Sequence, residues 1–155
     1  MNQLHVEADG TARAEPATVW ALISDATSYP VWGPWSAAEY ERPGDASPRG
    51  AGAVYWLRSS RRAYLRYVTT LEKILETDEE RHLAYAVIGG IPVRNYRADI
   101  TLTPTAGGTH IRWAATWDDT PRGRIVHRGL RTFYPQMLAE LVAAAEERDR
   151  VPRTG

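Results

Sequence analysis

The chain has 155 residues, and its 19 basic and 19 acidic side chains leave no net charge at pH 7. This balance argues against general nucleic-acid binding, and the absence of cysteine excludes disulfides, thiolate nucleophiles and cysteine metal sites. No apolar run approaches the roughly 18 residues of a membrane span, and the N-terminal segment lacks the basic and apolar regions of a signal peptide. We therefore expect no nucleic-acid partner, no membrane span and a cytoplasmic location.

The first part of the chain predicts a strand followed by two short helices. Residues 4–13 alternate between apolar and polar side chains, as in a half-buried strand. Pro16 suits a first helical turn, and residues 19–23 place apolar side chains at helical spacing. Residues 24–25, a serine and an aspartate, end this helix and can cap a second one. Residues 29–35 carry two prolines and a glycine, which break that helix and lead into the next strand.

The remainder of the chain predicts six more strands and a long helix. The strands are expected at residues 37–42, 53–59, 65–76, 82–88, 93–103 and 109–117. Thr120 can cap a helix whose first turn holds Pro121 and which runs to about residue 150. The fold class is therefore α+β, in a single domain over residues 1–150, and we expect residues 151–155 to be a flexible tail.

Two stretches of the sequence carry a family resemblance. The first is AEPATVWALISDATSYPVWGPW at residues 14–35, and the second is GIPVRNYR at residues 90–97 together with GTHIRW at residues 108–113. Both resemble the START-like (SRPBCC) superfamily of polyketide cyclases and lipid carriers. The resemblance implies a helix-grip fold, in which a curved seven-stranded antiparallel sheet surrounds a long C-terminal helix. It also implies a ligand cavity between them, for which a volume of roughly 300–1,000 Å³ is usual.

Strand and helix periodicity select the residues that face this interior. Alternation along the strands turns one set of aromatic side chains toward the helix, and the 3.6-residue period turns a stripe of the helix toward the sheet. We hypothesise that the ligand-binding residues are Tyr85, Tyr96, Trp113, Trp117, Leu130, Tyr134 and Met137. The alternative for each aromatic residue is an ordinary core position, because large rings dominate protein cores.

The candidate catalytic residues are His127, Tyr134 and Arg94. His127 lies seven residues before Tyr134 and is predicted on the inward side of the helix. The alternative for His127 is a bond to a backbone carbonyl near the helix start. Arg94 shares the strand parity of Tyr96, so it is expected at the cavity mouth. The alternative for Arg94 is a surface ion pair with Asp118 or Asp119. No spacing of metal ligands and no cofactor motif is present, so we predict neither a metal nor a cofactor.

Three functions are compatible with these patterns. The leading hypothesis is a binding or transport protein for a hydrophobic small molecule such as a lipid or polyketide, acting as a monomer or homodimer. The second is a polyketide aromatase/cyclase or dehydratase-like enzyme, which needs a positioned acid or base. The third is a partner-binding module, which needs an exposed apolar patch. The fold alone does not choose among them, since function resides in the site.

Overall fold

The computed structural model describes residues 2–63 and 66–150. The predicted tail, residues 151–155, lies outside them, as does residue 65, the predicted start of the fourth strand. The elements in chain order are β1 (Gln3–Ala12), α1 (Pro16–Ile23), a 3₁₀ turn (Ala26–Ser28), α2 (Tyr29–Trp32), β2 (Trp35–Arg42), β3 (Val54–Ala63), β4 (Arg66–Asp78), β5 (His82–Gly89), β6 (Tyr96–Thr105), β7 (Gly108–Asp118) and α3 (Pro121–Arg150).

The described strands form one antiparallel sheet in the order β1-β7-β6-β5-β4-β3-β2. Every strand after β2 pairs with its neighbour in sequence, and β1 closes the order by pairing with β7, from Gln3↔Asp118 to Ala12↔Thr109. The predicted seven-stranded antiparallel sheet with a long C-terminal helix is therefore confirmed. The core lies between the sheet and α3, where Trp113, Trp117 and Leu141 are almost completely buried.

The helical elbow between β1 and β2 is held by its own side chains. The Asp25 carboxylate caps the 3₁₀ turn by accepting the Thr27 backbone N–H at 3.0 Å. The Tyr29 hydroxyl donates to the Ile23 carbonyl oxygen at 2.9 Å, and the Trp32 indole N–H donates to the Leu22 carbonyl oxygen at 3.1 Å. The orphan carbonyls at the end of α1 are thus satisfied inside the core.

The helix α3 is fixed at both ends. At its start the Thr120 hydroxyl accepts the Gly123 backbone N–H at 2.9 Å, as predicted for the capping residue. Near its end the Glu146 carboxylate accepts the Arg13 backbone N–H at 2.8 Å, and the Asp149 carboxylate accepts the Glu15 backbone N–H at 2.9 Å. These bonds tie the last turns of α3 to the segment between β1 and α1.

Two strand boundaries differ from the prediction in ways that affect the site. The third strand continues to Ala63, so residues 60–63, predicted as a turn, are strand. The sixth strand begins at Tyr96 and not at residue 93, because Asn95 adopts a φ of 55° in the left-handed region. A left-handed residue interrupts the alternation of an extended strand. Arg94 and Tyr96 therefore do not share a face of β6, as the alternation had predicted.

Candidate functional site

Three tyrosine hydroxyls meet in the interior between the sheet and α3. Tyr85 on β5, Tyr96 on β6 and Tyr134 on α3 are all buried. The hydroxyls of Tyr96 and Tyr134 share a hydrogen bond, and the Tyr85 hydroxyl interacts with both of them. The Trp113 indole N–H also donates to the Tyr85 hydroxyl at 3.0 Å. We call Tyr85, Tyr96 and Tyr134 the phenol cluster.

Aromatic rings hold the phenol cluster in place. The Tyr96 ring stacks on Trp117, with centroids 5.3 Å apart and an interplanar angle of 22°. Trp113 meets both Tyr85 and Tyr134 edge to face, each at 6.3 Å between ring centroids. Tilted, offset and edge-to-face pairs are the favoured geometries of aromatic rings. The polar atoms are therefore positioned by rigid rings and not by flexible side chains.

Burial keeps the cluster uncharged. It raises the pKa of Tyr85, Tyr96 and Tyr134 well above the ordinary value of 10.0, because desolvation penalises the phenolate. At physiological pH these side chains are neutral hydrogen-bond donors and acceptors. The cluster can orient a polar group of a bound molecule, but a phenol that stays protonated cannot act as a base near neutral pH.

The other predicted lining residues take up different positions. Met137 is buried one turn from Tyr134, so the inward stripe of α3 is present. Leu130 is half-buried and packs against the core from the preceding turn. The Trp117 indole N–H donates to the Gly123 carbonyl oxygen at 3.1 Å, so its polar atom serves the start of α3. Of the two predicted tryptophans, only Trp113 donates its indole N–H to the phenol cluster.

His127 lies outside the phenol cluster, at the junction of α3 with β1. Its Nε2 is 2.9 Å from the His5 carbonyl oxygen, and its ring is tilted against Trp117 at 5.7 Å. Because a carbonyl oxygen only accepts, Nε2 must carry the proton and donate it. This is the alternative weighed from the sequence, a histidine bonded to a backbone carbonyl.

The expectation that Arg94 lies at the cavity mouth is corrected by the structure. Arg94 is exposed and precedes β6, because the left-handed Asn95 separates it from the strand. Its two predicted ionic partners bind other residues. The Asp118 carboxylate accepts the Asn95 side-chain amide at 2.8 Å, and the Asp119 carboxylate accepts the Arg124 guanidinium at 2.6 Å.

A buried carboxylate near the phenol cluster was missed from the sequence. Glu72 on β4 is only 6% exposed. Its Oε1 accepts the Tyr55 hydroxyl at 2.9 Å, and its Oε2 accepts the Thr70 hydroxyl at 3.0 Å. Desolvation raises the pKa of Glu72 to about 7, although both hydroxyl bonds act in the opposite direction. Glu72 in turn raises the pKa of all three cluster tyrosines, so its carboxylate faces the same interior.

The sequence pattern around Glu72 points to the wrong face. Leu71 and Leu75 flank it at strand spacing, which favours a buried leucine face and an exposed glutamate. In the structure Leu71 is half-buried on the opposite face, and Glu72 is buried together with Ile74. The pairing of Glu72 with Tyr55 on β3 is the signal that identifies it, and only the sheet register supplies that signal.

A second polar cluster lies among more accessible side chains of the sheet. Ligand atoms of Glu76, His82 and Asp99 lie within 4.8 Å of one another. The Arg97 guanidinium donates to Glu76 at 2.7 Å and to Asp99 at 3.1 Å, and His82 Nε2 is 2.7 Å from Asp99. Arg97 already supplies the cation for these carboxylates, so the donor set is satisfied as an ion-pair network.

A groove of about 350 Å³ opens on the face of the sheet that is turned away from the phenol cluster. Its walls include Trp56 and Leu71, whose strand neighbours Tyr55 and Glu72 face inward. The groove is therefore distinct from the interior site predicted between the sheet and α3.

The fold and the interior define a class of protein. The curved antiparallel sheet around a long C-terminal helix is the helix-grip fold expected from the sequence, and buried tyrosine hydroxyls lie in its interior. The chain belongs to the family described as polyketide cyclase / dehydrase and lipid transport, whose model matches residues 3–146. None of the helices that the structure describes is long and apolar enough to cross a membrane.

Solved structures share the fold at low sequence identity. The protein XoxI from Bacillus cereus is 20% identical, with a TM-score of 0.71 over 94% of this chain and 98% of that one. A protein from Nitrosospira multiformis is 18% identical, with a TM-score of 0.72 over 95% and 99% of the two chains. Ara h 8.0201 is 20% identical, with a TM-score of 0.69 over 95% and 97%. A search of curated proteins found no significant match.

Proposed function

We propose that the chain binds a hydrophobic small molecule between the sheet and α3, and that this molecule carries a hydroxyl or carbonyl group. The observation that carries the proposal is the phenol cluster. Three neutral hydroxyls from three different elements meet in an interior that is otherwise lined by apolar and aromatic side chains. Ligand sites typically combine an apolar lining with a few convergent polar groups that fix orientation.

The chemistry of the cluster favours an uncharged polar group at this position. Each phenol both donates and accepts, so Tyr85, Tyr96 and Tyr134 can exchange a bond with one another for a bond with a ligand oxygen. The Trp113 N–H donates to the Tyr85 hydroxyl, so Tyr85 keeps a bonded partner if its hydroxyl turns to a ligand oxygen. The apolar body of the ligand would pack against Leu130 and Met137. Removal of its apolar surface from water would favour binding.

The enzyme hypothesis has less support from the residues first considered for it. Tyr134 stays protonated because burial raises its pKa. His127 is engaged by the His5 carbonyl, and Arg94 is exposed. An acid–base catalyst needs a group that changes protonation within reach of the substrate. None of these three residues meets this requirement, so binding or transport of the ligand is the function we propose. Glu72 is a group in this interior whose protonation changes near neutral pH.

The experiment compares two ligands that differ by one hydroxyl. The neutral fluorophore Nile red is bound first, and 1-naphthalenemethanol and 1-methylnaphthalene are tested for its displacement. We expect micromolar Nile red binding, and a preference for the alcohol that falls about 2- to 10-fold in Tyr134→Phe, which corresponds to one net hydrogen bond.

Tyr67→Phe is the matched control, because it removes the hydroxyl of a half-exposed ring on β4. It should leave the preference for the alcohol unchanged. If Nile red does not bind, and neither naphthalene shifts the tryptophan emission, the interior is a solid core and the proposed function is wrong.

A further inference from the structure

Glu72 has no obvious structural reason to be a carboxylate. It lies in the middle of β4 with both oxygens bonded to uncharged hydroxyls, those of Tyr55 and Thr70. Within the described part of the chain, burial and these two bonds are the influences on its ionisation, and no cation contributes. A buried ionised group without a cationic partner is destabilising, and such groups are concentrated at functional sites.

The titratable groups around Glu72 are tyrosine side chains from several neighbouring helices and strands. Besides Tyr55 on β3, its charge raises the pKa of tyrosines on α2, β5, β6 and α3, namely Tyr29, Tyr85, Tyr96 and Tyr134. Burial holds all of these phenols in the neutral form, so none of them can neutralise a carboxylate. The interior therefore combines one ionisable acid with neutral aromatic side chains.

A carboxylate can accept about four hydrogen bonds, and Glu72 accepts two from side chains in the described part of the chain. When ionised, Glu72 can therefore accept further hydrogen bonds, and its surroundings are apolar and aromatic. The complementary ligand group is a cation with N–H donors, since a charge-assisted bond is about twice as strong as a neutral one. Aromatic faces also attract cations, and Tyr55 contributes one of the rings at this end of the interior.

We propose that Glu72 is the recognition group for a protonated amine, so that the natural ligand is an apolar molecule that carries a basic nitrogen. This inference rests on the proposed function and narrows its ligand class. The phenol cluster orients the oxygen of that molecule, and Glu72 binds its nitrogen. Neutral lipids and fatty acids are then the wrong class of ligand, because they lack a cation and fatty acids carry the same charge as Glu72.

Amine binding must be linked to proton release. A cation beside Glu72 favours its ionised form, so the carboxyl loses its proton when the amine binds. For a group with a pKa of about 7, the ionised fraction rises from about one tenth at pH 6 to about nine tenths at pH 8. The affinity for the amine should therefore rise about 10-fold over that range, while that for a neutral ligand stays constant.

The experiment uses 1-naphthalenemethylamine, 1-naphthalenemethanol and 1-naphthaleneacetate as displacers of Nile red at pH 6 and pH 8. In the wild type we expect the amine-to-alcohol affinity ratio to rise about 10-fold with pH. The acetate should bind least at pH 8. Calorimetry at pH 7 in two buffers of different ionisation enthalpy should show about half a proton released per amine bound, and none per alcohol.

Two variants test whether the Glu72 carboxylate is responsible for the pH dependence of amine binding. Glu72→Gln keeps the shape and removes the charge, so the rise with pH and the proton release should disappear while the alcohol binds as before. Glu76→Gln is the matched control, because it removes an exposed carboxylate from the same strand and should behave like the wild type. Circular dichroism checks that both variants are folded.

The outcomes separate this inference from the proposed function. If the alcohol binds but the amine-to-alcohol ratio is the same at both pH values, or the same in Glu72→Gln, the amine inference is wrong and the proposed function stands. If none of the three naphthalenes displaces Nile red, both are wrong. The wild-type pH comparison decides the matter even if Glu72→Gln does not fold.

Discussion

The hydroxyls of Tyr96 and Tyr134 share a hydrogen bond that joins β6 to α3 in the interior of the protein. The Tyr96 ring stacks on Trp117, and the Tyr134 ring meets Trp113 in an edge-to-face arrangement. The bond is thus one of the polar links between the sheet and α3. In the proposed function, these two hydroxyls are also the groups to which a ligand oxygen would bind.

A double-mutant cycle should show that these two hydroxyls stabilise the fold as a pair. Tyr96→Phe and Tyr134→Phe should each lower the free energy of unfolding by about 1 kcal/mol, because each removes the hydrogen bond between the two buried hydroxyls. The double variant should lose less than the sum, since both single variants remove this same bond. Urea denaturation followed by circular dichroism measures all four proteins. Strict additivity would contradict a direct bond.

The stability of the protein should depend on pH through Glu72. Its pKa is raised from 4.5 to about 7 on folding, so between these values the folded state holds a proton that the unfolded state has released. Stability therefore falls as the pH rises through this window, by a total of about 3 kcal/mol, and is constant above it. Glu72→Gln removes the effect.

Urea denaturation at pH 4.5, 6 and 8 tests this dependence. The Glu72→Gln variant should match the wild type at the lowest pH and exceed it most at pH 8. Glu76→Gln, on the same strand but exposed, should not reproduce the gain at pH 8. A wild type that becomes more stable relative to Glu72→Gln as the pH rises would reverse the sign and contradict the assignment.

His127→Ala should affect stability and not ligand binding. The variant removes the bond from Nε2 to the His5 carbonyl and the ring contact with Trp117. We expect a loss of about 1 kcal/mol in the free energy of unfolding, the net value of one hydrogen bond. Nile red affinity should stay within a factor of two of the wild type. A tenfold loss of affinity without a loss of stability would place His127 in the binding site.

Gly33→Ala should disturb the helical elbow. A Cβ at this position would overlap the Trp35 ring, which itself packs against Tyr29, Trp32 and Phe133. Relief of that overlap requires the ring to move, at a cost of about 1–3 kcal/mol. Thermal unfolding measures the loss, and Gly107→Ala is a control because nothing lies within 4 Å of its Cβ position. An unchanged melting temperature for Gly33→Ala would show that the elbow adapts freely.

The fold was largely predictable because its signals are local. Alternation identified all seven strands, and Thr120 with Pro121 identified the start of α3. Helical periodicity likewise identified Tyr134 and Met137 as inward residues. These predictions need only the period of one element and the chemistry of its first turn.

The site was only partly predictable because it depends on register and on single backbone angles. The left-handed Asn95 invalidated the parity of Arg94, and no local pattern announces that conformation. Glu72 was missed because its burial follows from pairing with Tyr55 across two strands, while the neighbouring leucines suggest the opposite face. Long-range pairing is information that a single strand does not contain.

The pairing of β1 with β7 has a consequence for how the chain folds during synthesis. A ribosome releases Gln3–Ala12 well before Gly108–Asp118, which is its partner strand among the described residues. Until then β1 presents unpaired backbone groups, and α3, which ties down the segment after β1, is synthesised later still. Closure of so long a loop is entropically costly, so folding should be slow for a protein of this size. Until β7 has been synthesised, β1 is an unpaired strand that can aggregate.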